Sequence, residues 1–369
     1  MSARRIPGLV RVGARCYRLV RAWPRETEHA LVELADDDGA TVAAQWFADP
    51  EELRVAAATT PGSVLGDLLL QPAGSDPRLR ALPDVLAADG ARLLAHRPGR
   101  RAVVRVDDAT GRAREFVKVV RPSRAADLAR RGQAVASLVG DTVRVPRLLE
   151  ASDPERGVLR WSVVPGRTLH DLGADGAWDV TGARSAWEAA GRTVARLHAA
   201  DPVAVAARHG TAEELGAISD WVRPAVAHGL LDADLAARAG DRVAAALEAG
   251  AAEPVLGVLH RDLHDKQLLL DDDGTVGMID VDTLAVGERA LDVANLLVHL
   301  ELREAQGLLT PPVAAAARAG FLAGVGDLPG DRVAAYARAT RLRLAGVYAF
   351  RPRWRRVAAA LLRGAAGVA

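Results

Sequence analysis

The chain changes character near Pro165-Gly166, and this change restricts its fold more than any other feature. Before that point, short apolar runs alternate with turn residues, which is typical of strands joined by hairpins, and helical segments lie between some of them. After about residue 185, alanine-rich segments carry apolar residues every three or four positions, which indicates helices packed on one face. We therefore expect an α+β protein with a β-rich first half and a mostly helical second half.

Three parts are expected along the chain. Residues 1–85 should form a β-rich amino-terminal accessory element, residues 86–165 a first lobe of strands and one helix, and residues 166–369 a helical lobe. A chain of 369 residues exceeds the size at which a single hydrophobic core normally stops growing. Several packed substructures are therefore more reasonable than one.

Composition excludes some classes of partner. The 48 basic and 47 acidic residues nearly balance and form no basic tail, so no nucleic acid partner is expected. There is no signal-peptide core and no run of about 20 apolar residues, so we expect no membrane partner. Cys16 is the only cysteine. Together these features predict a cytoplasmic protein, and they predict nothing about its oligomeric state.

One β-rich island, residues 255–283, interrupts the helical half and carries most of the polar chemistry. A tight turn at Asp271 to Gly274 would fold the second strand of the island back along the first. The hairpin would thereby bring the acidic residues that follow it close to the loop that precedes it. The oxygen-bearing side chains gathered in this way are Asp262, Gln267 and Asp280, with Asp282 as a further candidate. Hard oxygen ligands of this kind suit Mg²⁺ bound to nucleotide phosphates.

Lysine is rare in this chain, since Lys118 and Lys266 are lysines and all the other basic residues are arginines. Lys118 lies within the strand-like segment Glu115 to Val120, shortly before a helix, where kinases place their phosphate-binding lysine. Ammonium and guanidinium groups are not interchangeable at phosphates. The sequence therefore predicts that Lys118 holds the α- and β-phosphates of a nucleotide. Lys266 could equally reach a phosphate or face solvent.

The loop of residues 260–267, the motif Ile279-Asp280 and the later segment of residues 287–297 resemble the aminoglycoside phosphotransferase and choline kinase group. The resemblance covers roughly residues 91–299 and implies a bilobal protein-kinase-like fold that uses ATP and Mg²⁺. It implies that Asp262 is the catalytic carboxylate. It also implies that Asp280 is the main metal ligand and Gln267 the second one.

The same resemblance implies two supporting roles. Asp292 matches an acidic residue that holds the catalytic loop from below. The segment Trp161 to Val164, which includes Ser162 and Val163, matches the hinge that hydrogen-bonds adenine. Arg97, Gly99 and Arg100 occupy the place of the loop that covers the nucleotide, although a plain hairpin would have the same sequence pattern.

The chain departs from the family pattern in three ways. Gln267 replaces the usual Asn, which resembles maltokinase-like sugar kinases, and Arg261 replaces a Gly. The helical segment after Lys118 contains no Glu that could pair with the lysine. The partner of Lys118 is therefore left open.

The sequence thus predicts an ATP- and Mg²⁺-dependent phosphotransferase acting on a hydroxyl group of a small molecule. From residue 300 onward there are 11 arginines and 4 acidic residues, which favours a sugar, amino sugar or other hydroxylated metabolite over a polycationic aminoglycoside. The alternatives are a nucleotide-binding regulator of the same fold that has lost catalysis, and a metal-dependent hydrolase built on His260, Asp262 and His264. The side chains of His264 and Asp265 could either contact substrate or face solvent, and the sequence favours neither.

Overall fold

The computed structural model describes residues 6–12, 15–25, 28–72, 74–249 and 253–368. Its first part is an antiparallel sheet of six strands in the order β1-β2-β3-β4-β6-β5. The strands are β1 (Leu9–Val12), β2 (Arg15–Pro24), β3 (His29–Ala35), β4 (Thr41–Phe47), β5 (Ser63–Leu65) and β6 (Leu68–Gln71). Helix α1 (Pro50–Thr59) follows β4. It begins after Asp49, whose carboxylate accepts a hydrogen bond from the Glu51 amide and so caps the helix.

A second antiparallel sheet, ordered β10-β9-β8-β7, forms the first lobe. Its elements are α2 (Leu82–Leu86), β7 (Ala91–Arg97), β8 (Arg101–Asp107), β9 (Ala113–Val120), α3 (Pro122–Val139) and β10 (Val158–Ser162). Helix α3 packs closely on this sheet because Gly132 has no side chain. A Cβ atom at that position would lie 2.0 Å from the ring of Trp161 on β10. The sheet carries Lys118 near the end of β9.

The remaining part of the chain is mostly helical. Its helices are α4 (Leu169–Ala174), α5 (Val180–His198), α6 (Thr211–Ala227), α7 (Ala233–Glu248), α8 (Ala290–Ala305), α9 (Pro311–Val325), α10 (Gly330–Ala349) and α11 (Arg355–Ala366). Two small sheets are formed by β11 (Arg167–Thr168), β12 (Arg208–His209), β13 (Leu256–Leu259), β14 (Leu268–Leu270), β15 (Val276–Met278) and β16 (Ala285–Glu288). Helix α8 is buried on nearly every side, and it packs beneath the loop between β13 and β14.

The amino-terminal sheet packs on the helical lobe. Trp46 and Leu34 of this sheet belong to the same hydrophobic core as Tyr336 on α10. The Ala22 amide also donates a hydrogen bond to the Phe350 carbonyl oxygen over 3.0 Å. These contacts bring strand β2 next to the carboxyl end of α10.

The predicted α+β, bilobal architecture with an additional β-rich amino-terminal element is confirmed. The domain boundaries stay predictions. Leu82 and Val85 precede residue 86, yet they pack in the core of the four-stranded sheet together with Val104 and Val117. Within the described residues, none of the helices combines the length and apolar character needed to cross a membrane.

Candidate active site

The loop between β13 and β14 is held by the buried carboxylate of Asp292 on α8. Asp292 accepts hydrogen bonds from the backbone amides of His260, over 2.7 Å, and Arg261, over 2.8 Å. The ring of His198 lies 3.2 Å from the same carboxylate. Burial opposes ionisation of Asp292, but these partners outweigh it and lower the pKa. The expectation that Asp292 braces the loop from below agrees with this geometry.

The backbone of Arg261 has a conformation that favours glycine, which is the residue that the family pattern has at this position. Its φ angle is 73°, in the left-handed region that costs a residue with a Cβ about 1 kcal/mol or more. The Arg261 carbonyl oxygen accepts a hydrogen bond from Asn295 Nδ2 over 3.2 Å. The guanidinium group contacts the Thr283 carbonyl oxygen at 3.4 Å. Contacts on both sides of the loop therefore hold this unfavourable conformation.

Lys118 lies between two carboxylates that follow the β14–β15 hairpin. Its Nζ is 3.0 Å from Asp280 Oδ1 and 2.5 Å from Asp282 Oδ2. Burial would raise the pKa of Asp280, but the charges of Lys118 and Arg101 lower it to about 2. The pKa of Lys118 is in turn raised, because the two carboxylates outweigh the effect of burial. The hairpin has thus returned Asp280 to the strand that carries Lys118.

Gln267 ends a 3-10 turn over Asp265–Gln267 at the start of β14. Its Oε1 accepts a hydrogen bond from the His264 amide over 3.2 Å, and its carbonyl oxygen accepts one from the Ile279 amide over 2.9 Å. The side chain is buried beside the residue that precedes Asp280. Its role as a metal ligand stays a prediction.

Asp262 is the exposed carboxylate of the loop, with 56% of its side chain accessible to solvent. It lines a cavity of about 520 Å³, which is large enough for a sugar-sized molecule. Arg343 on α10 places its Nη1 3.8 Å from Asp262 Oδ1 and donates a hydrogen bond to Asn295 Oδ1 over 2.6 Å. Arg343 thereby links Asp262 to the residue that binds the Arg261 carbonyl oxygen.

The segment Trp161 to Val164, matched to the hinge, differs in backbone hydrogen bonding between Ser162 and Val163. Ser162 donates its amide to the Arg147 carbonyl oxygen, and its Oγ accepts a hydrogen bond from the Arg147 amide, both over 2.9 Å. Val163 follows the end of β10, and its backbone groups have no hydrogen-bond partner among the described residues. Val163 is therefore better placed than Ser162 to bind adenine through its backbone.

The turn between β7 and β8 contacts the linker after the amino-terminal sheet. The Gly99 amide donates to Asp76 Oδ2 over 2.6 Å, and the Gly99 carbonyl oxygen accepts from Arg121 Nε over 2.7 Å. The Arg97 guanidinium lies 5.4 Å from the centre of the Trp23 ring. Arg100 lines a cavity of about 780 Å³ between this turn and the amino-terminal sheet. A contact of these residues with a nucleotide stays a prediction.

One neighbour of the site, Arg101, was not found from the sequence, and the surroundings of another, Asp265, were left open. Arg101, the first residue of β8, lines the cavity of Asp262 and helps to lower the pKa of Asp280. Asp265 is buried, binds Arg303 through two hydrogen bonds of 2.7 Å and lies 2.9 Å from His170 Nδ1. The sequence left open whether Asp265 contacts substrate or faces solvent. In the structure its carboxylate is instead bound within the protein by Arg303 and His170. No local sequence pattern reports the distance to Arg303, which is 38 positions away.

A family comparison agrees with this arrangement. The sequence model of the APH family, described as a phosphotransferase enzyme family, matches residues 92–342. The chain belongs to this family. The predicted resemblance to the aminoglycoside phosphotransferases is therefore confirmed, whereas the comparison of Gln267 with maltokinases stays untested.

Solved structures with the same fold include several phosphotransferases. Aminoglycoside phosphotransferase APH(3'')-Id from Streptomyces rimosus, in complex with ADP and streptomycin, is 25% identical, with a TM-score of 0.52 over 73% of this chain and 98% of that chain. An aminoglycoside-3'-phosphotransferase of type VIII is also 25% identical, with a TM-score of 0.52 over 72% and 97%. Amicoumacin kinase hAmiN shares the fold at 14% identity, with a TM-score of 0.56 over 80% and 94%. No curated protein sequence matches the chain significantly.

Proposed function

We propose that this phosphotransferase transfers the γ-phosphoryl group of ATP, with Mg²⁺, to a hydroxyl group of a small molecule. The observation that carries the proposal is the position of Asp262. Its carboxylate is exposed at the wall of a cavity, while the loop around it is fixed by Asp292. A catalytic base for phosphoryl transfer needs this combination of access and rigidity.

The residues near Lys118 fit Mg²⁺ bound to nucleotide phosphates. Lys118 contacts one oxygen each of Asp280 and Asp282, so the second oxygen of each carboxylate is available to a cation. No group of three or more His, Cys, Asp or Glu that could hold a metal occurs in the described ranges. Mg²⁺ commonly takes one or two carboxylates and completes its shell with phosphate oxygens and water. When bound, it would offset the charge on the phosphates.

Each residue then has one task. Asp262 accepts the proton of the acceptor hydroxyl as its oxygen attacks the γ-phosphorus, and ADP leaves with the bridging oxygen. Lys118 would bind the non-transferred phosphates through its ammonium group, while Asp280, Asp282 and Gln267 would hold the metal and so offset the phosphate charge. Val163 contacts adenine through its backbone.

The solved relatives support the nucleotide and the type of acceptor. APH(3'')-Id, which is 25% identical over nearly its whole length, was crystallised with ADP and streptomycin. That complex joins a nucleotide with a hydroxylated small molecule on the same fold. The donor set of this chain, which contains carboxylate and amide oxygens, supports Mg²⁺ rather than a thiolate-binding metal.

The test compares Asp262→Asn with Asp272→Asn. Asp272 is an exposed aspartate at the tip of the β14–β15 hairpin, so its substitution controls for the loss of one charge. ADP release and phosphorylated product are measured over a panel of sugars, amino sugars and aminoglycosides. We expect Asp262→Asn to lose about 100- to 10,000-fold in turnover and to bind AMP-PNP as the wild type does, whereas Asp272→Asn stays active.

Two results would contradict the proposal. Turnover that survives in Asp262→Asn would remove the assigned base. Nucleotide binding without any product or Mg²⁺-dependent ATP hydrolysis in the wild type would favour a nucleotide-binding regulator.

A further inference from the structure

The cavity beside Asp262 has a strong excess of positive charge. Seven of its lining residues are arginine or lysine, and three are aspartate or glutamate. This excess is local, since the whole chain carries a formal net charge of only +1. A pocket for a polycationic acceptor would have the opposite balance.

Several of these cations already have acidic partners. Arg303 is bound by both oxygens of Asp265, and Arg21 lies 2.7 Å from Glu33 Oε2. Arg343 lies 3.6 Å from Glu214 Oε1 and 3.8 Å from Asp262 Oδ1. Their charges are therefore largely compensated within the protein.

Among the described residues, the other cations of the cavity have no such partner: Arg101, Arg261, Lys266 and Arg351. Lys266 and Arg351 lie near each other at one end of the cavity. In the part of the chain that the structure describes, Lys266 and Arg351 have no carboxylate oxygen within 4.0 Å. The Arg351 guanidinium lies 4.4 Å from the centre of the Tyr348 ring, which fixes its place. Burial and the nearby charges of Arg21 and Arg303 lower the pKa of Arg351, against the opposing effect of Tyr348. A half-buried cation next to other cations is destabilised until an anion joins it.

We propose that Lys266 and Arg351 bind an anionic group of the acceptor, which is a phosphate, sulfate or carboxylate, while the acceptor hydroxyl lies at Asp262. The inference rests on the proposed function and names the class of its substrate: a hydroxylated small molecule with a negative charge. Arginine and lysine side chains bind such groups through charge-assisted hydrogen bonds. Trp23 and Arg21 also line the cavity, and the Trp23 ring lies 4.5 Å from the Arg21 guanidinium carbon.

This end of the cavity differs from the place of the ATP phosphates. Lys266 and Arg351 line the cavity beside Asp262, whereas Lys118, Asp280 and Asp282 do not line it. Lys118 instead contacts Asp280 and Asp282 directly. The uncompensated cations are therefore separate from the acids proposed to bind the metal.

Most of the residues that build this end lie outside the family core. Arg21 and Trp23 come from the amino-terminal sheet, and Tyr348 and Arg351 lie beyond residue 342, whereas the family match covers residues 92–342. Lys266 lies in the catalytic loop, which belongs to the part shared with the family. The rest of the anion-binding end is added by segments on either side of that part.

The first experiment uses inorganic sulfate as the probe on the full chain saturated with AMP-PNP and Mg²⁺, so that the nucleotide phosphate positions are filled. The midpoint of thermal unfolding is measured against sodium sulfate and against sodium chloride at equal ionic strength. We expect sulfate to raise the unfolding midpoint of the wild type in a saturable way. In Arg351→Gln this rise should be lost. The control Arg238→Gln changes an exposed arginine on α7 and keeps the rise. If Arg351→Gln folds poorly, Lys266→Gln replaces it, because Lys266 is exposed. The sulfate-dependent rise of the unfolding midpoint should be lost in that variant as well.

The second experiment compares acceptors on one scaffold: glucose, glucosamine, glucose 6-phosphate and glucuronate. We expect any Asp262-dependent phosphorylation to favour an anionic member at least tenfold in kcat/KM, and Arg351→Gln to remove that preference through KM. A preference for the neutral or cationic sugar, or a sulfate response equal in wild type and Arg351→Gln, would overturn the inference. A sulfate response without any Asp262-dependent transfer would instead contradict the proposed function and leave the anion site standing.

Discussion

Lys118 Nζ donates a hydrogen bond to Asp280 Oδ1 over 3.0 Å and so joins two residues that are 162 positions apart. The helix after Lys118 supplies no acidic partner to it, since Asp127 on α3 pairs with Arg130 and Arg131. The sequence offered no partner for Lys118. In the structure its partners are Asp280 and Asp282, the carboxylates proposed to hold the metal. A nucleotide entering the site has to share the ammonium group with them.

Lys118→Met should raise the pKa of Asp280 from about 2. Without the ammonium group, burial is opposed by fewer positive charges, and the protonated carboxyl becomes more favourable. A carboxyl with a depressed pKa stabilises the fold above its unfolded pKa, and this stability is lost as pH falls through the folded value. In Lys118→Met, the stability that ionised Asp280 contributes above its unfolded pKa should therefore be smaller, and its loss on acidification should be complete at a higher pH than in the wild type.

The measurement is carboxyl ¹³C NMR titration of Asp280, supported by unfolding in denaturant at several acidic pH values. Lys118→Arg, which keeps the positive charge, is the matched control and should keep the pKa low. An unchanged Asp280 pKa in Lys118→Met would show that the ion pair does not control its ionisation.

Asp292→Ala should destabilise the protein by about 3 kcal/mol or more. The substitution leaves the buried amides of His260 and Arg261 without their acceptor and removes the partner of His198. Unfolding in urea measures the change, and Asp272→Ala on the exposed hairpin tip should stay within about 0.5 kcal/mol of wild type. Equal stability of the two variants would mean that the carboxylate does not hold the loop.

His264 should stay neutral at pH 5. Burial lowers its pKa to about 4, although the charges of Asp262 and Asp265 oppose the shift. The unfolded chain binds a proton at this residue below its ordinary pKa of about 6.5, so stability should fall as pH drops from about 6.5 to about 4. NMR titration of the ring checks the pKa, and His264→Asn should flatten the decline in unfolding free energy over this range. A ring that titrates near pH 6.5 would contradict the prediction.

Gly132→Ala should destabilise the first lobe by about 1–3 kcal/mol, because a Cβ there meets the buried ring of Trp161 at 2.0 Å. Gly240 on α7 is the matched control, since a Cβ there meets no atom within 4 Å. Gly240→Ala should stabilise the protein by about 0.5–1 kcal/mol, as alanine does in helices. Thermal unfolding compares the two, and equal effects would mean that α3 does not rest closely on β10.

The hairpin structure of the island at residues 255–283 could be predicted because its information is local. The turn at Asp271 to Gly274 fixes the pairing of β14 with β15, and Gly274 has the positive φ of 79° that such a turn uses. Once that hairpin is assigned, the return of Asp280 towards the loop of Asp262 follows. The order of strands and helices was also readable from the spacing of apolar residues.

The surroundings of the site could not be predicted in the same way. Asp265 looked as suitable for solvent as for substrate, but α8 covers it and supplies Arg303. The amino-terminal sheet gave no sign that Arg21 and Trp23 would line the cavity of Asp262. Both outcomes depend on how distant segments pack, which no local pattern reports.

By itself, the sequence determined the family and predicted the loop of Asp262 with its acidic neighbours, because these depend on residue types at short and fixed spacings. Only the tertiary structure decided which charges are compensated. A nearly neutral composition of 48 basic and 47 acidic residues says nothing of where they meet, since electrostatic energies depend on distance and burial. Folding pairs Arg21, Arg303 and Arg343 of the cavity beside Asp262 with carboxylates, and it leaves other cations there, Lys266 and Arg351 among them, without an acidic partner in the described part of the chain.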